Sequence, residues 1–421
     1  MKLNKSLLNR REFLLIITLY TFVFALFIPE ETSVLQMYYQ LIMSQTNLLT
    51  DFIEIAGFRA TFFNVGLHSL VIYLLLLWKG QRYLTSFELG VTGLFVGHAF
   101  FGTHIINILP IILGTMYYYY IMNHEKEYRL VSILATANAP LVSSIYLDSV
   151  FGPYRWLLAM AVGFVIGGIS VKIANQFVQF HKGYTLYNFG FTMGVIAMFI
   201  SFVFPYFDMN VEINLFQDNE YAINYFEFYF WGWLILLAII GLYRQKVQFK
   251  ELWSFIKIKG NFYHDQFRYF RTSTLTLNML INGIVFYMLL KLINVSLNGP
   301  IIGAMLTVIL FGAVGKTILN SLPISLGIIF SVYISGSSFN STYIVLALLF
   351  STGLAPISAR FGPLWGFVAG VLHFHMVEIS GQLHLGMNIY NNGFASGFVA
   401  AIVIPIIELI GEWKDSILNP S

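Results

Sequence analysis

The chain reads as long apolar stretches broken by short polar ones. The apolar runs cover approximately 12–29, 60–78, 86–101, 103–122, 130–147, 155–174, 184–205, 226–243, 274–292, 300–315, 317–335, 342–358, 362–379 and 386–410. Most lie near the roughly 20 residues that a helix needs to cross a hydrocarbon core. Residues 31–56 alternate polar and apolar groups instead, which predicts an amphipathic helix in the membrane interface. The pattern as a whole predicts an all-α integral membrane bundle of about 12–14 membrane segments, broken or re-entrant half-helices included. The runs within 86–122 read as two short spans or as two half-helices of a re-entrant pair. Either way the chain returns to the side it left, and 300–335 poses the same alternative.

Composition narrows the class. Of the 421 residues, 57% are hydrophobic and 10% charged, against about 25% charged in soluble domains. So little polar surface cannot cover a soluble fold, which excludes a soluble enzyme, a nucleic-acid binder and a disordered scaffold. Absence of cysteine excludes disulfides, thiolate sites and iron–sulfur clusters. The basic stretch Met1 to Glu12 runs into the first apolar segment. No small-residue cleavage pattern follows at Phe27-Ile28-Pro29-Glu30, so this segment reads as a retained span and not as a signal peptide.

Charge sets the orientation. With the N-terminus in the cytoplasm and the segments alternating, 20 of the 23 Lys and Arg fall on the inner side, Lys316 among them. Only Arg59, Arg155 and Lys291 fall outside. The basic loop 244–271 is then cytoplasmic, and the acidic loop 208–227 (Asp208, Glu212, Asp218, Glu220 and Glu227) lies outside. This is the expected topology of a multi-pass protein of the cell inner membrane.

A duplication runs through the chain. Gly102 to Gly114 reads GTHIINILPIILG and Gly315 to Gly327 reads GKTILNSLPISLG, with 8 of 13 positions identical. HKGYTLYNFGFTMGVIA from His181 matches HLGMNIYNNGFASGFVA from His384, and Thr136-x-x-Ala139-Pro140 matches Thr352-x-x-Ala355-Pro356. Upstream, Asn64 and Tyr73 match Asn278 and Tyr287. Chance likeness of apolar residues would not keep Asn, His, Thr and Pro in one order. The expected organisation is an N-terminal span plus interfacial helix (1–57), a first repeat (58–207), a linking region with one extra span (208–272), a second repeat (273–411) and a tail (412–421). The copies start on opposite sides, so they are inverted, as in many transporters and channels whose solute site lies at the repeat interface.

Candidate chemistry follows the repeat. Asn107-x-x-Pro110 and Asn320-x-x-Pro323 lie inside apolar runs, where Pro removes a backbone hydrogen bond and can open carbonyls to a cavity. Tyr187-Asn188 and Tyr390-Asn391 open long spans, and an Asn amide offers both donors and an acceptor to an uncharged solute. Against this stands Gly190-xxx-Gly194 with Gly393-xxx-Gly397, a small-residue packing pattern. Gly163-xxx-Gly167 and Gly366-xxx-Gly370 read as packing alone. Thr136 and Thr352 either bond across helices or line a path. His181 and His384 either meet solute or are simply solvated. His373, His375, Glu378 and His384 invite a metal reading, but His373 and His375 point to different sides of a helix, so no metal site and no cofactor is expected. The chain has no P-loop, no Arg-rich span and no hydrolase motif, so no ATP drive, voltage sensing or enzymatic activity is expected.

With six segments per inverted copy, Tyr187-Asn188-Phe189-Gly190-Phe191, Leu109-Pro110 and their counterparts, the chain resembles the urea transporter fold. That resemblance implies trimers with one pore per protomer and a neutral amide-like solute. The family's Thr-x-Pro-Phe element is missing here and its motif order differs. Membrane subunits of ion-pumping quinone reductases resemble the same fold, but their Ser/Thr-Gly-Ala-Thr flavin attachment motif is missing too. Over most of its length the chain also looks like an uncharacterised bacterial membrane family known only as a domain of unknown function. The expectation is a channel or transporter for a small neutral or weakly charged solute, embedded in the lipid bilayer as a monomer or as a homo-oligomer (dimer or trimer). The alternatives are an ion-coupled secondary transporter and a membrane subunit of a redox or lipid-modifying complex.

Overall fold

The structure, a computed structural model, describes residues 8–77, 82–122, 128–209, 223–243, 245–259, 262 and 264–418. Glu212, Asp218 and Glu220 of the acidic loop lie outside the described residues, as do Lys2, Lys5, Lys79, Lys126 and Arg244. The fold is all-α. The helices are α1 (Arg10–Phe27), α2 (Val34–Ile42), α3 (Phe52–Leu77), α4 (Ser86–His98), α5 (Ile105–Ile121), α6 (Tyr128–Ala135), α7 (Ala139–Leu147), α8 (Arg155–Phe177) and α9 (Asn188–Ser201). They continue as α10 (Tyr225–Leu242), α11 (Phe249–Ile256), α12 (Thr272–Leu292), α13 (Gly299–Leu310), α14 (Ile318–Ser335), α15 (Thr342–Phe350), α16 (Ala355–Phe361), α17 (Pro363–Leu383) and α18 (Asn391–Leu418). Short 3₁₀ turns join α6 to α7 and α15 to α16 into single spans. Among the described residues, 9 helices are long and apolar enough to cross a membrane.

Local sequence explains where the helices begin and bend. Asn9 caps α1 by accepting from the Arg11 and Glu12 amides, and Thr85 with Glu88 forms a capping box at α4. Gly57, at φ +73°, breaks α3. There the Glu30 carboxylate takes the Phe58 amide at 2.8 Å and so starts the membrane part of the helix near residue 58. Of the amphipathic stretch 31–56, only nine residues form the interfacial helix α2. The rest is the link to α3 and its first turn, because Asp51 accepts from Ile53 and Glu54 and starts a new helix there.

Contacts order the helix ends on two faces. On the first face, the backbones at Asn9 and Tyr83 pair and buried Arg10 binds Glu88 at 2.5 Å. Arg129 at the start of α6 reaches Leu76 O at the end of α3. On the second face, Lys291 at the end of α12 binds Glu227 at the start of α10 at 2.7 Å.

Helices α4 and α13 have 13 and 12 residues. At 1.5 Å per residue they reach about 20 Å, short of a roughly 30 Å core. They lie against each other antiparallel: Gly97 meets Gly303, Gly93 meets Leu306, and Gly90 meets Phe311. Glycine at these positions lets the backbones touch, since a Cβ would collide with the facing carbonyls at Gly97 and Gly93. Helix α5 then runs parallel to α8, with Pro110 on Gly163 and Ile111 O against Gly167, so residues 86–121 leave the first face and return to it. In the same way α14 runs parallel to α17, with Pro323 near Gly366 and Ile324 O against Gly370. The Gly163/Gly167 and Gly366/Gly370 pairs are therefore packing surfaces. Gly190 and Gly393 meet where α9 crosses α18.

Candidate functional site

Two polar turns interrupt the apolar interior, one between α4 and α5 and one between α13 and α14. Each turns on a positive-φ glycine, Gly102 (+82°) and Gly315 (+134°), a conformation that L side chains resist. In the first turn Asn107 accepts from the His104 amide at 2.9 Å and donates to Gly102 O at 3.2 Å and Ser143 Oγ at 2.9 Å. In the second, Asn320 accepts from the Thr317 amide at 2.9 Å and donates to Gly315 O at 2.9 Å. Each turn is also held from the preceding long helix. Asn64 Nδ2 donates to Ala99 O and Thr103 O at 2.7 and 2.8 Å, and Asn278 Nδ2 to Gly312 O and Lys316 O at 2.9 and 2.8 Å. Loss of helical backbone pairing inside an apolar core is costly, and these amides offset it.

A small cavity lies where α9 crosses α18. Its wall includes Tyr187, Asn188 and Gly190 from one helix start and Tyr390, Asn392 and Gly393 from the other. His98 of α4 and Phe311 after α13 close it further. The cavity measures ≈ 20 Å³, about the room one water needs. The site described is thus shut.

Behind Tyr187 stands Lys316, 0% exposed. Its ammonium donates to Tyr187 Oη at 2.6 Å and Thr352 Oγ1 at 2.7 Å. It also lies 4.9 Å from the Tyr187 ring centroid and 5.5 Å from that of Phe311, within cation–π range. Thr352 in turn donates to Leu349 O at 2.6 Å. Among the described residues no carboxylate pairs with Lys316. Sequence reading places this lysine on the inner side. In the structure the glycine turn points its side chain into the protein interior, beneath the segment that carries Phe262.

The other predicted residues divide. Tyr187, Tyr390 and Asn188 line the cavity. Asn391 does not: it binds Ser380 Oγ at 2.7 Å and His384 Nε2 at 3.0 Å, tying α18 to α17. Asn107 and Asn320 hold the turns, whereas Pro110 and Pro323 lie inside α5 and α14, packed on Gly163 and Gly366 and opening no carbonyl to the cavity, whose wall includes none of the four. Thr136, like Thr352, bonds a carbonyl one turn back, Ile133 O at 2.6 Å. His181 and His384 sit in the links before α9 and α18, where each Nδ1 accepts a backbone amide, from Gly183 and Asn388. Burial holds both imidazoles down at about 4. His373 turns inward to Asn392 at 3.1 Å, while His375 and Glu378 face outward. Among the described residues no group of His, Cys, Asp and Glu is placed to hold a metal.

Sequence reasoning passed over His98, Asn392 and Phe311, because each lacks an identical partner in the other copy. The signal that was available is positional: His98 and Phe311 each stand four residues before the turn glycine of their own copy.

An all-α bundle with nine helices, among the described residues, long and apolar enough to cross a membrane has the build of an integral membrane protein. The chain belongs to the family described as protein of unknown function (DUF1576), which matches residues 30–205 and 244–409. No curated protein and no solved structure matches it.

Proposed function

We propose that this protein is a membrane channel or transporter for a small neutral or weakly charged solute, built from two inverted copies (α3–α9 and α12–α18). The observation that carries the reading is the cavity at the α9–α18 crossing, walled by matched residues of both copies: Leu186 and Ile389, Tyr187 and Tyr390, Gly190 and Gly393. Antiparallel contact of α4 with α13 supports the inversion. Solute sites of inverted-repeat transporters lie at such an interface, beside broken helices. The closed cavity means that passage requires the crossing helices to part. Lys316 favours a second reading, ion-coupled secondary transport, because ionisable groups inside a membrane commonly mark ion or substrate paths. The Lys/Arg bias supports a topology with the first face, and with it the basic loop 244–271, in the cytoplasm.

The test is flux into proteoliposomes, using urea, formamide and glycerol as probes and stopped-flow light scattering as readout. Flux of at least one probe is expected, with a fall of tenfold or more in Asn188→Leu. Uphill accumulation under an ion gradient selects the coupled reading. A protein that passes no probe and purifies with bound flavin or quinone overturns both, in favour of a redox or lipid-modifying subunit.

A further inference from the structure

The two turns differ at one matched position. Lys316 and Thr103 each follow the positive-φ glycine of their turn. In the second turn the Lys316 ammonium bridges Tyr187 Oη and Thr352 Oγ1. The matching groups at the first turn are Tyr390 and Thr136, and Thr103 is too short to reach between them. Buried oxygens remain there without a partner. Tyr390 is 5% exposed, its hydroxyl faces Thr136, and it has no hydrogen-bond partner among the described residues. Thr103 is 1% exposed and its Oγ1 is unpartnered too.

A buried hydroxyl left unbonded costs about 1–3 kcal/mol, and native interiors seldom tolerate several together. The second turn shows what fits among them. Its amino group is tethered to the chain and seated on a tyrosine and a threonine hydroxyl. We infer that the first turn takes a free monovalent cation, of the sodium or ammonium class, at the place that corresponds to Lys316 Nζ. Tyr390 Oη and Thr136 Oγ1 supply oxygens to it. These donors are neutral. Divalent ions normally demand carboxylates, whereas neutral oxygens and carbonyls hold sodium in membrane sites. The inference rests on the duplication proposed above and needs no transport to be true.

The test is thermal unfolding of the purified full-length protein in detergent, in choline chloride and with choline replaced by sodium, potassium, lithium or ammonium at constant ionic strength. One small cation is expected to raise Tm saturably, as a ligand of the folded state does. Tyr390→Phe, which removes one oxygen and keeps the ring, is expected to weaken that response at least tenfold in apparent affinity. Tyr187→Phe, at the lysine-filled turn, leaves it in place. Thr103→Lys supplies the tethered cation, so its Tm in choline alone matches that of the wild type at saturating cation and responds no further. Should Thr103→Lys fail to fold, Tyr390→Phe and Thr136→Val carry the test. A Tm indifferent to the cation, or a response unchanged in Tyr390→Phe, overturns the inference. A cation response without solute flux instead overturns the transport reading and leaves the site standing. Flux without a cation response does the reverse.

Discussion

Lys316 shows how little a residue's identity says before its turn is known. In sequence it is one more basic residue between two apolar runs. In the structure Gly315 turns the chain so that the ammonium joins Tyr187 to Thr352. Methionine of similar length would leave the Tyr187 hydroxyl without its donor, while Thr352 keeps its bond to Leu349 O, and would relieve a desolvated amine. Lys316→Met is therefore expected to change stability by no more than about 2 kcal/mol in chemical denaturation, while solute flux falls tenfold or more. The link histidines give a pH prediction. His181 and His384 are held at about 4 by burial, below the roughly 6.5 of an unfolded chain. The unfolded state thus binds more protons across that window. Their contribution is intact above about 6.5 and declines as pH falls toward 4. A Tm series from pH 7.5 to 4.5 should show this decline, shallower in His181→Gln with His384→Gln. That these histidines would be spent on backbone amides was not legible, because a cap depends on where the chain turns and not on residue type.

At the scale of elements, the apolar runs and their boundaries were legible because lipid and helical pitch dictate both. The shortness of α4 and α13 was legible as length, but not what it serves: each turns back at a polar corner and packs along its counterpart. Glycine pairs were read as packing, and Gly163 and Gly167 pack α8 on α5 in that way. Matched Asn188 and Asn391 were read as equals, and they part company. Asn391 finds Ser380 and His384 within reach, whereas Asn188 fronts the cavity. Neighbours from other segments decide this, and no local pattern reports them. Where α4 crosses α13, a side chain on Gly97 or Gly303 would meet the other's carbonyl. Gly303→Val is accordingly expected to destabilise by about 1–3 kcal/mol and to lower Tm, whereas valine at Gly411, where no atom lies within 4 Å, meets no such collision.

For the whole molecule, orientation is open to direct test, since the chain has no cysteine of its own. Single cysteines at Lys250 and at Glu30 should label from opposite sides of sealed vesicles with a membrane-impermeant maleimide, Lys250 from the cytoplasmic side. Labelling of both from one side would refute the topology. The segment that joins the halves also does more than connect them. Phe262 lies on Gly315, Thr317 Oγ1 donates to Ile256 O at 3.3 Å, and Asp265 takes the Ser86 amide at 2.9 Å. The strand of chain that tethers one half to the other is thus also a stopper, pressed over the corner that carries the buried lysine.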